Sequence, residues 1–281
     1  MLPQGKPAQI GTGIQSIAAV GNRLVAVSTT GTVEEYDNGK WTSIGSNASQ
    51  VAATDSGTFM IDKNDRSIWS YLGVLPQASQ CQGLPIDGIP PLARFGPGNN
   101  CWARIGVNGQ QIVASALGLF RIDSQDKNVY SYRAGTWTRI GVAVGLLAAS
   151  DDELFVVNKD ARTLWEWQGR PDYWQLIGDD VHRLVTAGTQ VYIVRGTDAN
   201  NTIWQYEGQP RLWTLIGEQV SSLAGNGDRL VGVNLSTQAL WNYKGQHLWD
   251  PIPGGLTARS VAMGGDNLYV VESDNSLWTF R

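Results

Sequence analysis

Short apolar segments alternate with polar turns along the whole chain, and no segment of useful length carries apolar residues at a helical period. One representative stretch reads Leu-Trp-Glu-Trp at 164–167 and Trp-Gln-Leu-Ile-Gly at 174–178, with a polar turn between them. Short runs rich in β-branched and aromatic residues, bounded by Gly, Asp or Asn, are typical of β-strands. The pattern therefore predicts an all-β protein made of many short strands.

The motif Trp-x-x-Ile-Gly recurs through the chain and defines a repeat. The isoleucines of successive copies are Ile10, Ile44, Ile105, Ile140, Ile177, Ile216 and Ile252. They lie 34 to 39 residues apart, except for one spacing of 61. Three further segments follow each copy of the motif. We name them strand A, which holds small and aliphatic residues, strand B, which is apolar, and strand C, which is of the type Leu-Trp-x-Tyr. The motif itself is strand D. Four-stranded units repeated at this period indicate a β-propeller.

The two ends of the sequence complete one another. Residues 7–11 form a strand D with no strand A, B or C before it, whereas 255–281 hold strands A, B and C with no strand D after them. We therefore predict one seven-bladed propeller with four-stranded blades, in which residues 7–11 are the outer strand of the last blade and close the ring. The predicted blades span residues 12–45, 46–106, 107–141, 142–178, 179–217, 218–254 and 255–281. A linear solenoid is disfavoured, since it usually has capping repeats with a polar outer face, and none is seen in the sequence.

The long spacing marks a Pro-rich insertion at 74–101, between strands C and D of blade two. It holds five of the 11 prolines and both cysteines, Cys81 and Cys101. A loop of this length in a compact domain is usually functional or disordered. The cysteines either form a disulfide, which would contribute about 3 kcal/mol for a loop of this size, or remain free thiols; we predict the disulfide. A zinc site is disfavoured because no His lies nearby.

Composition and charge narrow the classes of partner. The net charge is −4 and there is no basic run, so we expect no nucleic-acid partner. No apolar run approaches the roughly 20 residues that span a bilayer, so we expect no membrane insertion. A disulfide favours an extracellular destination, whereas the start of the chain lacks the layout of a signal peptide. The sequence leaves the compartment open.

Residues that could support catalysis or bind metal are few and scattered. His182 and His247 occupy unrelated positions of the repeat, and Asp151-Asp152-Glu153 is expected to form a turn. The turns that begin at Asp62, Asp123 and Asn158 lack the ligand spacing of a calcium loop, and Asx turns explain them equally well. We therefore predict a protein that is not an enzyme, with no catalytic residues, no metal site and no cofactor.

Tryptophan is the residue that the repeat places most regularly. Of the 12 tryptophans, 11 fall either in strand D, where we expect core filling, or at the start of strand C. The strand-C ring follows a polar residue that ends strand B, and an apolar ring face beside an amide or carboxylate suits a hydroxylated sugar ring. The candidate carbohydrate-binding residues are Trp69, Trp165, Trp204, Trp241, Trp278 and Tyr130 in strand C, with Asp62, Asp123, Asn158 and Asn234 at the end of strand B. The alternative is that these rings only fill the core. Blade one has Glu34 at the ring position, and its site is expected to be empty.

The repeated Trp-x-x-Ile-Gly with Leu-Trp-x-Tyr resembles the tectonin repeats of slime-mould, fungal and fish-egg lectins, over the whole chain apart from the insertion. The resemblance implies a propeller with several sugar sites between blades. Fungal members resemble defence lectins for O-methylated glycans, and others bind bacterial lipopolysaccharide. Relatives usually have six repeats, whereas this chain has seven. We therefore predict a multivalent lectin for O-methylated or microbial surface glycans, with avidity adding weak sites together. The alternative is a protein-interaction scaffold that uses the propeller face and the Pro-rich loop.

Overall fold

A computed structural model describes residues 6–55, 57–83, 90–197 and 199–280. Within these residues, 29 strands form seven antiparallel sheets arranged as the blades of a propeller. Blade one consists of β2 (Ile14–Val20), β3 (Arg23–Ser28), β4 (Val33–Asp37) and β5 (Lys40–Gly45). Blade two consists of β6 (Ala48–Ala53), β7 (Thr58–Asp62), β8 (Ile68–Val74), β9 (Ala93–Phe95) and β10 (Asn100–Gly106). Blade three consists of β11 (Gly109–Ser115), β12 (Gly118–Asp123), β13 (Val129–Arg133) and β14 (Thr136–Gly141).

The remaining four blades follow in chain order. Blade four has β15 (Val144–Ala149), β16 (Leu154–Asn158), β17 (Leu164–Trp167) and β18 (Trp174–Gly178), and blade five has β19 (Arg183–Ala187), β20 (Gln190–Arg195), β21 (Thr202–Tyr206) and β22 (Trp213–Glu218). Blade six has β23 (Val220–Asn226), β24 (Arg229–Asn234), β25 (Leu240–Gly245) and β26 (Leu248–Pro251). Blade seven has β27 (Ala258–Gly264), β28 (Asn267–Glu272) and β29 (Leu277–Phe280), and β1 (Ala8–Gly11) completes it. Two 3₁₀ turns, Ala78–Gln80 and Pro97–Asn99, lie in the insertion, and no helix of the described ranges is long and apolar enough to span a membrane.

The ring closes through the first strand, as predicted. β1 pairs antiparallel with β29, and Ala8 lies opposite Thr279 while Gly11 lies opposite Leu277. The last blade therefore takes its outer strand from the beginning of the chain. Closure confirms the seven-bladed propeller with four-stranded blades, and it gives the seventh blade the outer strand that the other blades take from their own segment of the chain.

The hydrophobic core lies between blades rather than inside one compact centre. A representative cluster joins Val25 and Val27 of blade one to Met60 and Trp69 of blade two. Near the axis the strands A crowd together, and this explains their small residues. A Cβ on Gly225 of blade six would lie 2.2 Å from the Cβ of Ala187 in blade five, so only glycine permits this approach.

The Trp-x-x-Ile-Gly motif joins each blade to its neighbour. In blade five, Ile203 pairs with Gly217 and Trp204 pairs with Leu215, so Ile216 is left in a β-bulge. Its carbonyl is free to accept the indole N–H of Trp249 from blade six, at 2.7 Å. Six such bonds of 2.5–2.9 Å are formed: Trp41–Ile10, Trp102–Ile44, Trp137–Ile105, Trp174–Ile140, Trp213–Ile177 and Trp249–Ile216.

The glycine of the motif makes room for the same indole. A Cβ on Gly217 would lie 2.9 Å from the Nε1 of Trp249, closer than side chains pack. At the seventh junction Pro7 stands where the other copies have Trp, and its Cγ would lie 3.2 Å from a Cβ on Gly254. The strand-D tryptophans are therefore contacts between blades, with Trp102 fully buried and the others half-buried.

The insertion of blade two adds a fifth strand that the sequence did not predict. β9 pairs antiparallel with β10 on the outer edge of the blade, and Arg94 lies opposite Trp102. Three residues between prolines are too short a run to be recognised as a strand. Cys81 and Cys101 form the predicted disulfide, with their Cα atoms 5.5 Å apart. Residues 84–89 of the predicted insertion lie outside the described part of the chain. So do residues 1–5 and residue 281, which belong to the predicted domain and its last blade.

Candidate functional site

The aromatic residues at the start of strand C occupy equivalent positions between blades. Trp69 is fully buried, whereas the other predicted rings are half-buried. In four blades the indole N–H donates to a hydroxyl two residues earlier: Trp69 to Ser67 (2.6 Å), Trp165 to Thr163 (2.9 Å), Trp204 to Thr202 (2.9 Å) and Trp278 to Ser276 (2.9 Å). These bonds fix the ring and leave its face as the part that can contact a ligand. Blade one has Glu34 at this position and therefore no ring.

Blade six departs from this arrangement. Ala239 stands where the other blades with a strand-C tryptophan have Ser or Thr, and the buried Nε1 of Trp241 has no hydrogen-bond partner among the described residues. A buried donor without a partner destabilises the folded state.

We expect Ala239→Thr to raise the stability of the protein by about 1 kcal/mol. In blades four and five the hydroxyl of the equivalent threonine lies 2.9 Å from the indole nitrogen, so the new hydroxyl would supply the missing acceptor. Thermal unfolding followed by circular dichroism measures the change. Ala239→Val has the same shape without the oxygen and should give no gain. Equal melting temperatures for the Thr and Val variants would show that the bond is not formed.

The polar residues that end strand B form Asx turns. In each, a side-chain oxygen accepts a backbone N–H two residues further on: Asp62 from Asn64 (2.8 Å), Asp123 from Gln125 (2.8 Å), Asn158 from Asp160 (3.0 Å) and Asn234 from Ser236 (3.0 Å). The second polar atom remains for the space over the strand-C ring, which we call the aromatic slot of the blade. It is a carboxylate oxygen in blades two and three and an amide nitrogen in blades four and six.

Arginines of the chain itself cover three aromatic slots. In blade two the Cζ of Arg94 lies 3.9 Å from the ring centroid of Trp69. The equivalent distances are 4.7 Å from Arg121 to Tyr130 in blade three and 4.8 Å from Arg195 to Trp204 in blade five. Each guanidinium also pairs with a carboxylate: Arg94 with Asp62 (2.7 Å), Arg121 with Asp123 (3.4 Å) and Arg195 with Asp179 (3.2 Å).

The arginines thus occupy the predicted site in three of the blades. Trp69, Tyr130 and Trp204 are covered by guanidinium groups, and Asp62 and Asp123 are engaged as counter-ions. These side chains are not available to a sugar in this structure. Burial lowers the pKa of Arg121, although the Asp123 carboxylate acts in the opposite direction.

In blade seven the surroundings of the strand-C ring differ from those in the arginine-covered blades. Trp278 packs, as Ile252 and Leu256 do, against the buried cluster of blades six and seven. The Glu272 carboxylate at the end of strand B accepts hydrogen bonds from the Thr257 amide (2.8 Å) and the Ser276 hydroxyl (3.1 Å). The polar residue that ends strand B in this blade is thus engaged by neighbouring residues of the chain.

Blades four and six keep open slots, each part of a groove against the preceding blade. The blade-four groove has a volume of about 560 Å³ and is lined by Trp165, Trp174 and Asn158. The blade-six groove has a volume of about 520 Å³ and is lined by the corresponding Trp241, Trp249 and Asn234. Volumes of this size suit a small ligand. Among the described residues, the Nδ2 amides of both asparagines have no hydrogen-bond partner, so each can donate to one.

Exposed apolar side chains border both grooves. Val142 (54% exposed) lines the blade-four groove, and Tyr173 (55%) precedes Trp174 in the chain. Leu215 (41%) lines the blade-six groove, and Leu248 (61%) precedes its strand-D tryptophan. Exposed apolar side chains that cluster around a concave surface are typical of ligand-binding sites.

The structure brings together residues that sequence reasoning kept apart. Trp174 and Trp249 of strand D line the grooves beside the strand-C rings, although the sequence assigned them to the core. The exchange of Asp for Asn at the end of strand B was the available signal, because it separates two covered slots from the two open ones. No group of three or more His, Cys, Asp or Glu within the described ranges could hold a metal ion.

Comparisons with known proteins identify the fold. No family model matches the chain, and no curated protein matches it. Among solved structures it is similar to YCF48 from Cyanidioschyzon merolae, with a TM-score of 0.63, 11% identity and 99% of each chain covered. It is also similar to YCF48 bound to D1 peptide (TM-score 0.64, 12% identity, 98% of this chain and 96% of that one). A third similar structure is the Niastella koreensis GH74 enzyme (TM-score 0.60, 10% identity, 98% of this chain and 53% of that one). These similarities show the propeller fold alone, which occurs in enzymes as well as in proteins that bind ligands or partners.

Proposed function

We propose that this protein is a non-catalytic lectin that binds uncharged glycans in the grooves of blades four and six. The observation that carries the proposal is the pairing of two indole rings with an unpartnered amide donor in each groove. The apolar face of a sugar ring packs on Trp165 or Trp241, and a sugar hydroxyl accepts a hydrogen bond from the Nδ2 of Asn158 or Asn234.

The preference for uncharged ligands follows from a comparison between blades. Where strand B ends in Asp62 or Asp123, the slot holds a guanidinium. Where it ends in Asn158 or Asn234, no arginine of the described residues lies over the strand-C ring. A neutral amide gives no carboxylate to pair with a cation, so the open slots suit hydroxyl groups better than charges.

The ligand class follows from the borders of the grooves and from the resemblance to tectonin repeats. O-methyl groups would contact the exposed Val142 and Leu215 and bury more apolar surface than free hydroxyl groups do. O-methylated or microbial surface glycans, including the uncharged sugar units of lipopolysaccharide, are therefore the proposed partners. Two sites on one rigid ring would bind a glycan-coated surface more tightly than either site alone.

A glycan array containing O-methylated sugars and lipopolysaccharide tests the proposal. We expect binding to neutral methylated glycans, and calorimetry with a monovalent ligand should give two sites per chain. Sialylated glycans serve as the charged comparison and should bind weakly. A folded protein that binds no glycan on the array would refute the lectin function.

A protein-interaction scaffold is the second candidate. It is favoured by Leu72 (41% exposed), Val74 (63%) and Leu92 (45%), which lie in and beside the insertion of blade two, away from the grooves. A similar structure, YCF48, is known in complex with a peptide. The scaffold function predicts a negative glycan array together with loss of partner binding when Leu72 and Val74 are both replaced by Ser.

A further inference from the structure

The aromatic slot of blade two is complete but covered by a residue of the insertion. Trp69 supplies the ring and Asp62 supplies a carboxylate whose side chain is 2% exposed. In blades three and five the covering arginine belongs to strand B of the blade itself. In blade two it is Arg94, which comes from β9 on the outer edge of the sheet. The cation over this slot is therefore held by a separate segment.

The chemistry of the slot selects a cation. The guanidinium of Arg94 lies over the indole face at 3.9 Å and pairs with Asp62 at 2.7 Å. A buried carboxylate without a counter-ion is strongly unfavourable, and a desolvated ring face attracts a cation. A slot vacated by Arg94 would therefore take another planar cation in preference to a sugar.

The disulfide lies directly beside the covering arginine. The Sγ of Cys81 is 3.3 Å from the carbonyl oxygen of Arg94, and Cys101 lies opposite Phe95 in the β9–β10 pair. The disulfide joins Cys81 to β10 and closes the loop that contains β9. β9 itself pairs with β10 over three residues, flanked by backbone hydrogen bonds from Gly96 to Asn100 and from Arg104 to Leu92, and it forms the edge of its sheet. Short edge strands open at low free energy. The disulfide thus holds the segment that keeps the slot covered.

We propose that blade two holds a redox-controlled site for the guanidinium group of an arginine in a partner polypeptide. In the oxidised protein Arg94 occupies the site. A dithiol reductant breaks the Cys81–Cys101 bond by thiol–disulfide exchange: the reductant is oxidised to a disulfide, and each cysteine takes one hydrogen. β9 then separates from β10 more readily, and an arginine of the partner replaces Arg94 between Trp69 and Asp62. The site is independent of the glycan grooves.

The test uses two probes of nearly equal shape, N-acetylarginine amide and its uncharged counterpart N-acetylcitrulline amide. Binding is followed through the indole N–H signals in ¹⁵N spectra. We expect Arg94→Ala to bind the arginine probe about tenfold or more tightly than the citrulline probe. Adding Asp62→Asn should remove that preference. Arg133→Ala, which removes an exposed arginine elsewhere, should bind neither probe.

The second arm compares oxidised and reduced wild-type protein, with the fold checked by circular dichroism. We expect the arginine probe to bind only after reduction, while glycan binding stays unchanged. A folded Arg94→Ala variant without a preference for arginine would overturn the site. If that variant shows the preference but reduced wild-type protein binds no arginine or unfolds, redox control is overturned.

Discussion

Replacing Trp102 by alanine is expected to lower the free energy of unfolding by about 3–5 kcal/mol, the range for removing a large aromatic side chain from a packed core. Trp102 is 3% exposed, and its indole N–H donates to the Ile44 carbonyl of blade one over 2.5 Å. Its ring also packs against Tyr71, with 5.0 Å between centroids. The melting temperature, followed by circular dichroism, should fall on the order of 10 °C.

Trp102→Phe is the matched control, because it keeps an aromatic ring in the packed site but removes the indole N–H that donates to Ile44 of blade one. The bulged carbonyl of Ile44 would then lose its indole donor, and we expect a smaller loss of about 1–2 kcal/mol. An alanine variant that is no less stable than the phenylalanine variant would contradict the role of this ring in joining the blades.

The double variant Trp165→Ala/Trp241→Ala is expected to abolish glycan binding. Each substitution removes the ring face on which a sugar would pack in one groove, leaving the Asn158 or Asn234 amide without an apolar surface beside it. Either single variant should keep one site and lose the gain from bivalency. Binding to a glycan-coated surface should then weaken by about 100-fold or more. Surface plasmon resonance on immobilised glycan measures both effects.

Trp204→Ala offers a control in the same chain. Trp204 occupies the equivalent position in blade five, but Arg195 covers its ring at 4.8 Å. Its removal disturbs a blade in the same way without opening or destroying a predicted groove. Glycan binding that falls as far in this variant as in Trp165→Ala would show that the loss reflects damage to the fold rather than to a site.

The fold was readable from the sequence because its determining pattern is local and repeated. The spacing of Ile10, Ile44 and the later isoleucines counts the blades, and the incomplete units at both ends predict the closure that β1 and β29 make. The disulfide was also predicted, since a long loop with two cysteines presents few other arrangements. Repeats report the architecture directly because each unit buries its surface against the next in the same manner.

The reason for the motif itself became visible only in three dimensions. Sequence shows that Ile216 and Gly217 recur with Trp249, but not that the bulge at Ile216 frees a carbonyl for the indole of the next blade. That bond joins residues 33 positions apart, across a junction between blades. Pairing registers depend on non-local geometry, and a pattern of residue types does not contain them.

For the candidate site, too, the sequence determined some features and the tertiary structure decided others. The sequence by itself determined which rings stand at the start of strand C and which polar residues stand beside them. Only the tertiary structure decided which slots are open, because the covering residue comes from a different position in each case: Arg94 from the edge strand of the insertion, Arg121 from the middle of strand B and Arg195 from its end. Equivalent positions in a repeat share their backbone, whereas access to them depends on side chains that differ from one blade to the next.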